Sequence, residues 1–563
     1  MRYLILFPVL SIILMACQAQ YTPDTIKRGQ ISSNKDNSVN YSQVVTNTEQ
    51  LKSIKKFRAA LDEQDYEAIT ELITVLDSSE KNHDQVFRIF SDLLLSQKMF
   101  DLAVSTLKKI EKHNKDDYQS IAHTCAQLFN HQCAAEALFD YIHSSESEQL
   151  SLTSTMTNRL WNHLLASTEG TFNLQPDSDR ELIRFAKAFV KSDSIENKRE
   201  LWLEWKNSNS GHSFAQKPPL ALQLVENFRK PNIAVILPLS GDFQAAGKAV
   251  RDGIITSSFG ESKRLRGALN FYDSEAQSMS SILKTITQGD ATHVIGPLLK
   301  ENCRVFTQIS KEFSKPILLL NYLSEDIKKS KYQYSLGLSI EHEIDSLLEE
   351  INHQALDNIL IVSNASSWAV RSNNLFEDQW LKTVTNAKFE NPRDITESIS
   401  NAVGVESSNS RKESIEKIMR KPLEFLPRTR KDIDAIVAFV SPSESESLEP
   451  ILKFHFLEDT PLFASSQSEL HNYKFSELKV RSLEFPFIGQ RNTSNAFLKN
   501  QFELRTRFDQ ELFALGMDAY KLLQLIEIFR VSPGLPVSGQ TGLVQLDEKQ
   551  NFFRRLKLIE NQS

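Results

Sequence analysis

From Ile233 onward the chain returns repeatedly to short runs of apolar residues, at 233–239, 269–273, 292–298, 316–321, 358–363, 434–440 and 461–465, most with helix-patterned stretches between them. A strand apolar at nearly every position, and not at every second one, must be covered on both faces, and strands separated by helices are joined in parallel. The pattern therefore predicts an α/β architecture for residues 230–563, a parallel sheet clothed by helices on both sides. That length exceeds one doubly wound domain, so two lobes are expected. Ligands in such folds lie beyond the carboxyl ends of the strands.

Residues 51–229 follow another rule. Apolar side chains recur there at helical spacing and almost nothing reads as a strand. The small residues Ala68, Ala103 and Ala135 are each followed four positions later by a large apolar residue, in Ala68…Leu72, Ala103…Leu107 and Ala135…Phe139. Their spacing approaches the roughly 34-residue period of tetratricopeptide-like helix pairs, in which a small residue lets paired helices approach. An all-α, repeat-built domain is expected, a surface of the kind that binds protein or stays structural. The scarcity of Gly (17) and Pro (18) agrees with a helical bias.

The amino terminus sets the compartment. Arg2 supplies a positive start, and Leu4 to Ala16 is apolar and too short to span a bilayer. It ends in Leu14-Met15-Ala16-Cys17, which resembles the lipobox of bacterial lipoproteins. The resemblance implies removal of residues 1–16 and acylation of Cys17, a multi-chain anchor. Gln18 stands where an Asp would mark inner-membrane retention in that class, so the outer membrane, periplasmic face, is implied. Residues 17–50 are rich in Ser, Asn, Gln and Thr and read as a solvated tether with a reach of roughly 30 Å.

Other chemistry is largely excluded. With 65 Lys+Arg against 72 Asp+Glu the net charge is −7 and no long basic block occurs, which argues against nucleic acid. Gly241…Gly247-Lys248-Ala249 mimics a phosphate loop, but it has one residue too many between its glycines and Ala where a Mg-binding hydroxyl belongs. His123, Cys125, His131 and Cys133 repeat a His-x-Cys pair, yet residues two apart on a helix diverge and do not converge on a metal ion. Cys125 with Cys133 is the sequence-near disulfide candidate. Ser-x-x-Lys occurs at Ser105, Ser281 and Ser476 without the Lys-Thr-Gly or Ser-Asp-Asn companions of a penicillin-binding acyl-enzyme. Asp432 and Asp434 read as the solvated entry to a strand. No catalytic centre, cofactor or metal site is nominated.

The run Ile233-Ala-Val-Ile-Leu-Pro-Leu-Ser-Gly-Asp-Phe-Gln-Ala-Ala-Gly-Lys-Ala-Val-Arg-Asp-Gly253 resembles the opening of a type I periplasmic binding protein. With Val294-Ile-Gly-Pro-Leu298, Arg430-Lys-Asp-Ile-Asp-Ala-Ile436, Pro450-Ile-Leu-Lys-Phe454, Pro461-Leu-Phe-Ala-Ser-Ser466, Ala514-Leu-Gly-Met-Asp-Ala-Tyr520 and Ser538-Gly-Gln-Thr-Gly-Leu543 leading to Arg554-Arg555, it resembles the LpoA-type family of outer-membrane lipoprotein activators. The resemblance implies a non-enzymatic regulator that binds a bifunctional class A penicillin-binding protein, an inner-membrane peptidoglycan synthase, and raises its transpeptidase activity. On the type I architecture, an interlobe cleft is expected around Ser240, Gly241, Gly296, Pro297, Asn321 and Ser465. The rival readings are a tethered solute receptor for an amino acid, amide or peptidoglycan fragment, which calls for strand-end hydroxyls, an Arg and an acid in that cleft, and a scaffold that holds envelope proteins through the repeats.

Overall fold

The computed structural model describes residues 48–78, 83–147, 153–167, 172, 177–192, 194–425, 429–470, 473, 478–490 and 492–560. Cys17 and the tether as far as residue 47 lie outside the described residues; residues 48–50, expected as the end of the tether, already belong to a helix. The chain divides into a helical unit that runs to Phe228 and takes in Glu527–Pro536, and an α/β unit of Arg229–Ile526 and Val537–Ser563.

The helical unit consists of α1 (Thr48–Asp62), α2 (Tyr66–Asp77), α3 (Asp84–Ser96), α4 (Phe100–Leu107), α5 (Lys115–Gln127), α6 (His131–Ser147), α7 (Ser154–Ala166), α8 (Asp177–Lys191), α9 (Ile195–Ser208), α10 (Ser213–Gln216) and α11 (Leu220–Glu226). Ala68, Ala103 and Ala135 fall on α2, α4 and α6, the second helix of each successive pair, and the last two are fully buried. Polar locks join neighbouring pairs. Arg88 on α3 grips the buried carboxylate of Asp117 on α5 through Nε (3.0 Å to Oδ1) and Nη2 (2.8 Å to Oδ2). Asp117 also closes a capping box with Asn114, which starts α5. Asp84 accepts from the backbone N–H groups of Glu111 and Lys112 at 2.9 and 3.1 Å. Farther along, Trp161, Phe185, Phe189, Trp202 and Trp205 form a connected aromatic core, Trp161 meeting Phe189 edge-on at 5.1 Å and Phe185 stacking on Trp205 at 5.3 Å.

Cys125, near the end of α5, and Cys133, in the first turn of α6, form a disulfide with Cα atoms 5.8 Å apart. These two thiols therefore staple the turn between a helix pair. His131 instead points its Nδ1 at that of His163 on α7, 3.0 Å away, and burial drives the His163 pKa down to about 3.

The α/β unit has two sheets. The first lobe is laid down as β1 (Asn232–Leu237), α12 (Gln244–Gly260), β2 (Ala268–Asp273), α13 (Met279–Gln288), β3 (His293–Ile295), α14 (Lys300–Ile309), β4 (Ile317–Leu319) and β5 (Gln333–Leu336). The second follows as α15 (Ile340–His353), β6 (Asn358–Asn364), α16 (Ser367–Gln379), β7 (Thr383–Phe389), α17 (Ile395–Ala402), α18 (Val405–Met419), β8 (Ala435–Phe439), α19 (Pro442–Phe454), β9 (Leu462–Ala464) and β10 (Val480–Glu484). The chain then returns through α20 (Pro486–Gly489) and α21 (Thr493–Gln501) to α22 (Arg507–Gln524), continues into α23 (Ile526–Val531), and ends with β11 (Val537–Ser538), β12 (Leu543–Leu546), β13 (Asn551–Arg555) and β14 (Lys557–Glu560). Sheet orders are β11-β12-β13-β5-β4-β3-β1-β2 and β14-β10-β9-β8-β6-β7.

All seven apolar runs are strands, and the alternation explains why. On β6, Leu360 and Val362 enter one core with Ile436, Ala438 and Leu462, while Ile359 and Ile361 enter another, across the sheet, with Ala435, Val437 and Phe463. The expectation of wholly parallel sheets is corrected at one edge of each. β12 pairs antiparallel with β11 and β13, and β14 pairs antiparallel with β10. Between β11, β12 and β13 the short hairpin connections leave no room for the crossover helix that parallel pairing needs, whereas β14 returns to β10 from the far end of the chain. Gly253 on α12 and Gly516 on α22 let these helices touch backbone to backbone: a Cβ at Gly253 would sit 2.0 Å from the Phe513 carbonyl oxygen. Gly247 likewise lies against the Pro238 carbonyl, so the second glycine of the mock phosphate loop serves packing, while Gly241, at φ +68°, serves the turn.

Closing a loop of this separation (8 residues) by the Cys125–Cys133 disulfide corresponds to about 2 to 3 kcal/mol of denatured-state restriction. Changing both to Ser should lower stability by that amount in urea unfolding of a soluble form lacking residues 1–17. In the same form Cys303, buried with its thiol pushed up to about 12, should react with thiol reagents only after unfolding.

Candidate functional site

The six residues expected around the cleft do lie at strand ends. Ser240 and Gly241 follow β1, Gly296 and Pro297 follow β3, and Asn321 follows β4, all in the first lobe; Ser465 follows β9 in the second. The structure brings Gly296, Pro297 and Asn321 together: Leu320 N–H donates to the Pro297 carbonyl at 2.9 Å and Asn321 Nδ2 to the Leu298 carbonyl at 3.2 Å. Gly296, with φ +93° and a cis bond to Pro297, has no room for a Cβ, which would fall 2.1 Å from the Ile236 carbonyl oxygen.

Most polar atoms of these residues are already engaged by the fold. The Ser240 hydroxyl bonds to the Asp273 carboxylate, which also accepts from Leu239 N–H at 3.0 Å, and these bonds hold that carboxyl below its usual range despite desolvation. Asn321 Oδ1 accepts from Tyr322 N–H at 3.0 Å. Ser465 differs, since its hydroxyl is buried without a hydrogen-bond partner among the described residues.

Next to Ser465 lies a constellation that sequence reading missed. Three passages join the lobes, at 337–339, 485–506 and 556, and buried or nearly buried charges flank them, Glu343 after the first, Glu484 and Arg507 on either side of the second and Arg554 before the third. Glu343, in the first turn of α15, accepts from Ser466 N–H (3.1 Å) and Ser466 Oγ (2.9 Å). Arg507, opening α22, clasps Glu484 at the end of β10 through two bonds of 2.7 and 3.1 Å, and gives Nε to Glu511 at 2.8 Å. Gln467 of the second lobe also donates to Glu511, at 3.1 Å. Arg554 on β13 donates to the Thr541 carbonyl (3.1 Å) and stands 4.9 Å over the Phe485 ring, with the Arg507 guanidinium 5.8 Å from that same ring. Asp518 on α22 gathers the loop before β12 by accepting from Gln540 and Thr541 N–H at 2.6 and 2.8 Å.

Burial sets the electrostatics here. It drives the Glu511 carboxyl up to about 7 against the pull of Arg507. It raises that of Glu343 against Arg554, and it takes His342, beside the Arg554 charge, down to about 3, so that this imidazole is neutral. The consequence for binding is direct. Ser466, with its N–H and hydroxyl, is the kind of strand-end donor a receptor turns toward a ligand carboxylate, and the chain's own Glu343 occupies it. Both nearby arginines face inward to protein groups. Signals for this cluster were slight: Arg554 stood out in the sequence, and Arg507 and Glu511 have the i,i+4 spacing of a helix pair, but nothing local marks a charged residue as buried. Among the described residues no group of three or more His, Cys, Asp or Glu is arranged to hold a metal ion.

Replacing Arg507 by Met should cost about 3 to 5 kcal/mol, because Glu484 and Glu511 would remain buried without their partner. The pH dependence has a definite sign. A carboxyl raised on folding to about 7 contributes fully below its unfolded pKa, and that contribution is lost as pH rises to 7, by up to about 3 kcal/mol. Glu511→Gln should therefore flatten the fall in stability between pH 5 and 8 relative to the unmodified chain, read by urea unfolding at stepped pH.

The comparisons place this architecture. A family model described as "LppC putative lipoprotein" matches residues 39–563. Curated relatives include the penicillin-binding protein activator LpoA of Vibrio antiquarius, 26% identical over 79% of this chain and 76% of that one. That of Aliivibrio fischeri is 25% identical over 89% and 87%. Crystal structures of Haemophilus influenzae LpoA share the fold at 18% identity: a monoclinic form has a TM-score of 0.55 over 94% of this chain and 97% of that one, and a full-length structure 0.50 over 92% and 94%. A helical amino-terminal region followed by an α/β unit, matched by the family model across both, makes the chain a member of the LppC lipoprotein family, to which the relatives named as penicillin-binding protein activators are similar.

Proposed function

We propose that this chain is an outer-membrane lipoprotein, anchored through Cys17 and facing the periplasm, that binds a class A penicillin-binding protein and stimulates its transpeptidase activity without catalysing a reaction itself. The observation that carries the reading is the family match over residues 39–563, which takes in the helical and the α/β units together. The curated relatives are named penicillin-binding protein activators, which supports the reading. In this reading residues 17–50 let the folded part stand off the membrane and reach toward the cell wall. Activation then requires tighter binding to the active conformation of the synthase than to the inactive one, and each tenfold shift corresponds to about 1.4 kcal/mol of differential contact.

Solute reception through Ser240, Gly241, Gly296, Pro297, Asn321 and Ser465 is the second reading. The buried, unpartnered Ser465 hydroxyl favours it; the occupation of Ser466 by Glu343 weighs against an anionic ligand.

Mixing the soluble form with a purified class A synthase should raise the cross-linked fraction of newly made peptidoglycan. Absence of both binding and stimulation, together with a rise in melting temperature on adding an amino acid or muropeptide, would decide for the receptor. In cells, Cys17→Ser should move the protein from the outer-membrane fraction to the soluble periplasm, as followed by fractionation.

A further inference from the structure

The second lobe carries a helix whose far end the described residues leave uncovered. On α18 no residue is buried, although it ends in Ile415, Ile418 and Met419, which are 39, 82 and 54% exposed. The helix is nevertheless well held at both ends. Gly404, at φ +78°, turns the chain out of α17, whose Ile395 and Ile399 lie in the lobe core, and Val405 packs against that same core. At the far end Arg420 adopts the left-handed conformation and stops the helix. The chain then folds back along it. Leu423 N–H donates to Glu416 Oε1 at 2.8 Å, and Lys412 lies 5.7 Å over the ring of Phe425, itself 38% exposed.

The result is a fixed knob of Ile415, Ile418, Met419 and Phe425 among Arg411, Lys412, Lys417, Arg420 and Lys421. The acids interleaved there are Glu413, Glu416 and Glu424, and Glu416 is turned inward to Lys412 and the Leu423 backbone. A basic rim is notable in a chain of net charge −7. Apolar residues grouped within a polar, solvent-accessible rim are the anatomy of a protein–protein interface, the excess of cations in that rim selects an acidic partner, and an isoleucine left four-fifths exposed on a helix has no role in this fold's own core.

We propose that this face of the second lobe docks an acidic protein surface with an apolar recess, and that, within the function proposed above on which this inference rests, the surface belongs to the class A synthase. Two other occupants fit less well. A lipid surface calls for an apolar stripe along the whole helix, whereas residues 406–410 are Glu-Ser-Ser-Asn-Ser. A second copy of the chain, meeting this face two-fold, sets cations against cations.

The test compares the soluble form with Ile418→Asp/Met419→Asp and with Lys417→Glu/Arg420→Glu/Lys421→Glu, all at exposed positions. Melting temperatures should be unchanged. Affinity for the purified synthase should fall at least tenfold in each variant, cross-linking stimulation should fall with it, and in the charge-reversed variant the weakening of binding between 50 and 300 mM salt should shrink. Variants that bind and stimulate like the unmodified protein would overturn the docking face and leave the activator reading standing. An unmodified protein that does not bind the synthase would overturn both. Binding of the unmodified form to phosphatidylglycerol vesicles, lost in the variants while synthase binding persists, would overturn the protein partner in favour of lipid.

Discussion

Arg507 holds two carboxylates, Glu484 and Glu511, in a place where water cannot replace it, and the relation between the two α/β lobes depends on that grip. Glu484 ends the last strand before the chain leaves the second lobe, and Arg507 and Glu511 begin the helix that re-enters the first. Buried ion pairs of this kind add little net stability against an apolar alternative, since desolvation offsets most of their attraction. Their effect is on geometry. A bidentate guanidinium–carboxylate pair tolerates small misalignment only, so the second passage between the lobes is fixed in direction. Phe485, placed between Arg507 and Arg554, ties the second passage to the third.

The strand ends are organised in consequence. With Glu343 on Ser466 and Gln467 on Glu511, the second lobe's donors turn toward the passages and away from a ligand, as Arg554 of the first lobe's sheet does on the Thr541 carbonyl. In the first lobe, Asp273 draws Ser240 and the β1 turn to itself. A two-lobed α/β architecture is thereby built while the strand-end groups that could seize a small anion satisfy the protein.

The strands were legible because their signal is local and redundant. Ala435 to Phe439 is apolar at every position, and every one of those side chains is fully buried. Helix pairing in the amino-terminal unit was legible through the small residues Ala68, Ala103 and Ala135. The antiparallel edges were not, because β11 to β14 are short and half-buried, too brief for their alternation to register, and β14 finds its partner far back in the chain, with Glu560 opposite Arg481. The expected cleft residues were found at strand ends, where topology alone places them; that the neighbouring Ser466 and Gln467 are taken up by Glu343 and Glu511 depends on side chains arriving from distant segments. Glu343, Glu484 and Glu511 look like solvated acids in sequence, since burial of a charge is a property of the assembled lobes and leaves no periodic trace.

A rigid passage region bears on how such a protein would act on a larger partner. Docking that must first order two swinging lobes loses affinity to the entropy of that ordering, whereas a surface held in place beforehand does not. The buried arginines supply that order internally, from residues remote from α18, so the face of the second lobe is presented in one orientation before any partner arrives. An activator needs only a small preference for one conformation of its target. A preference of that size is easily blurred by motion within the activator, so a hinge region filled with committed charges suits a regulator better than the open, ligand-closed hinge of a receptor.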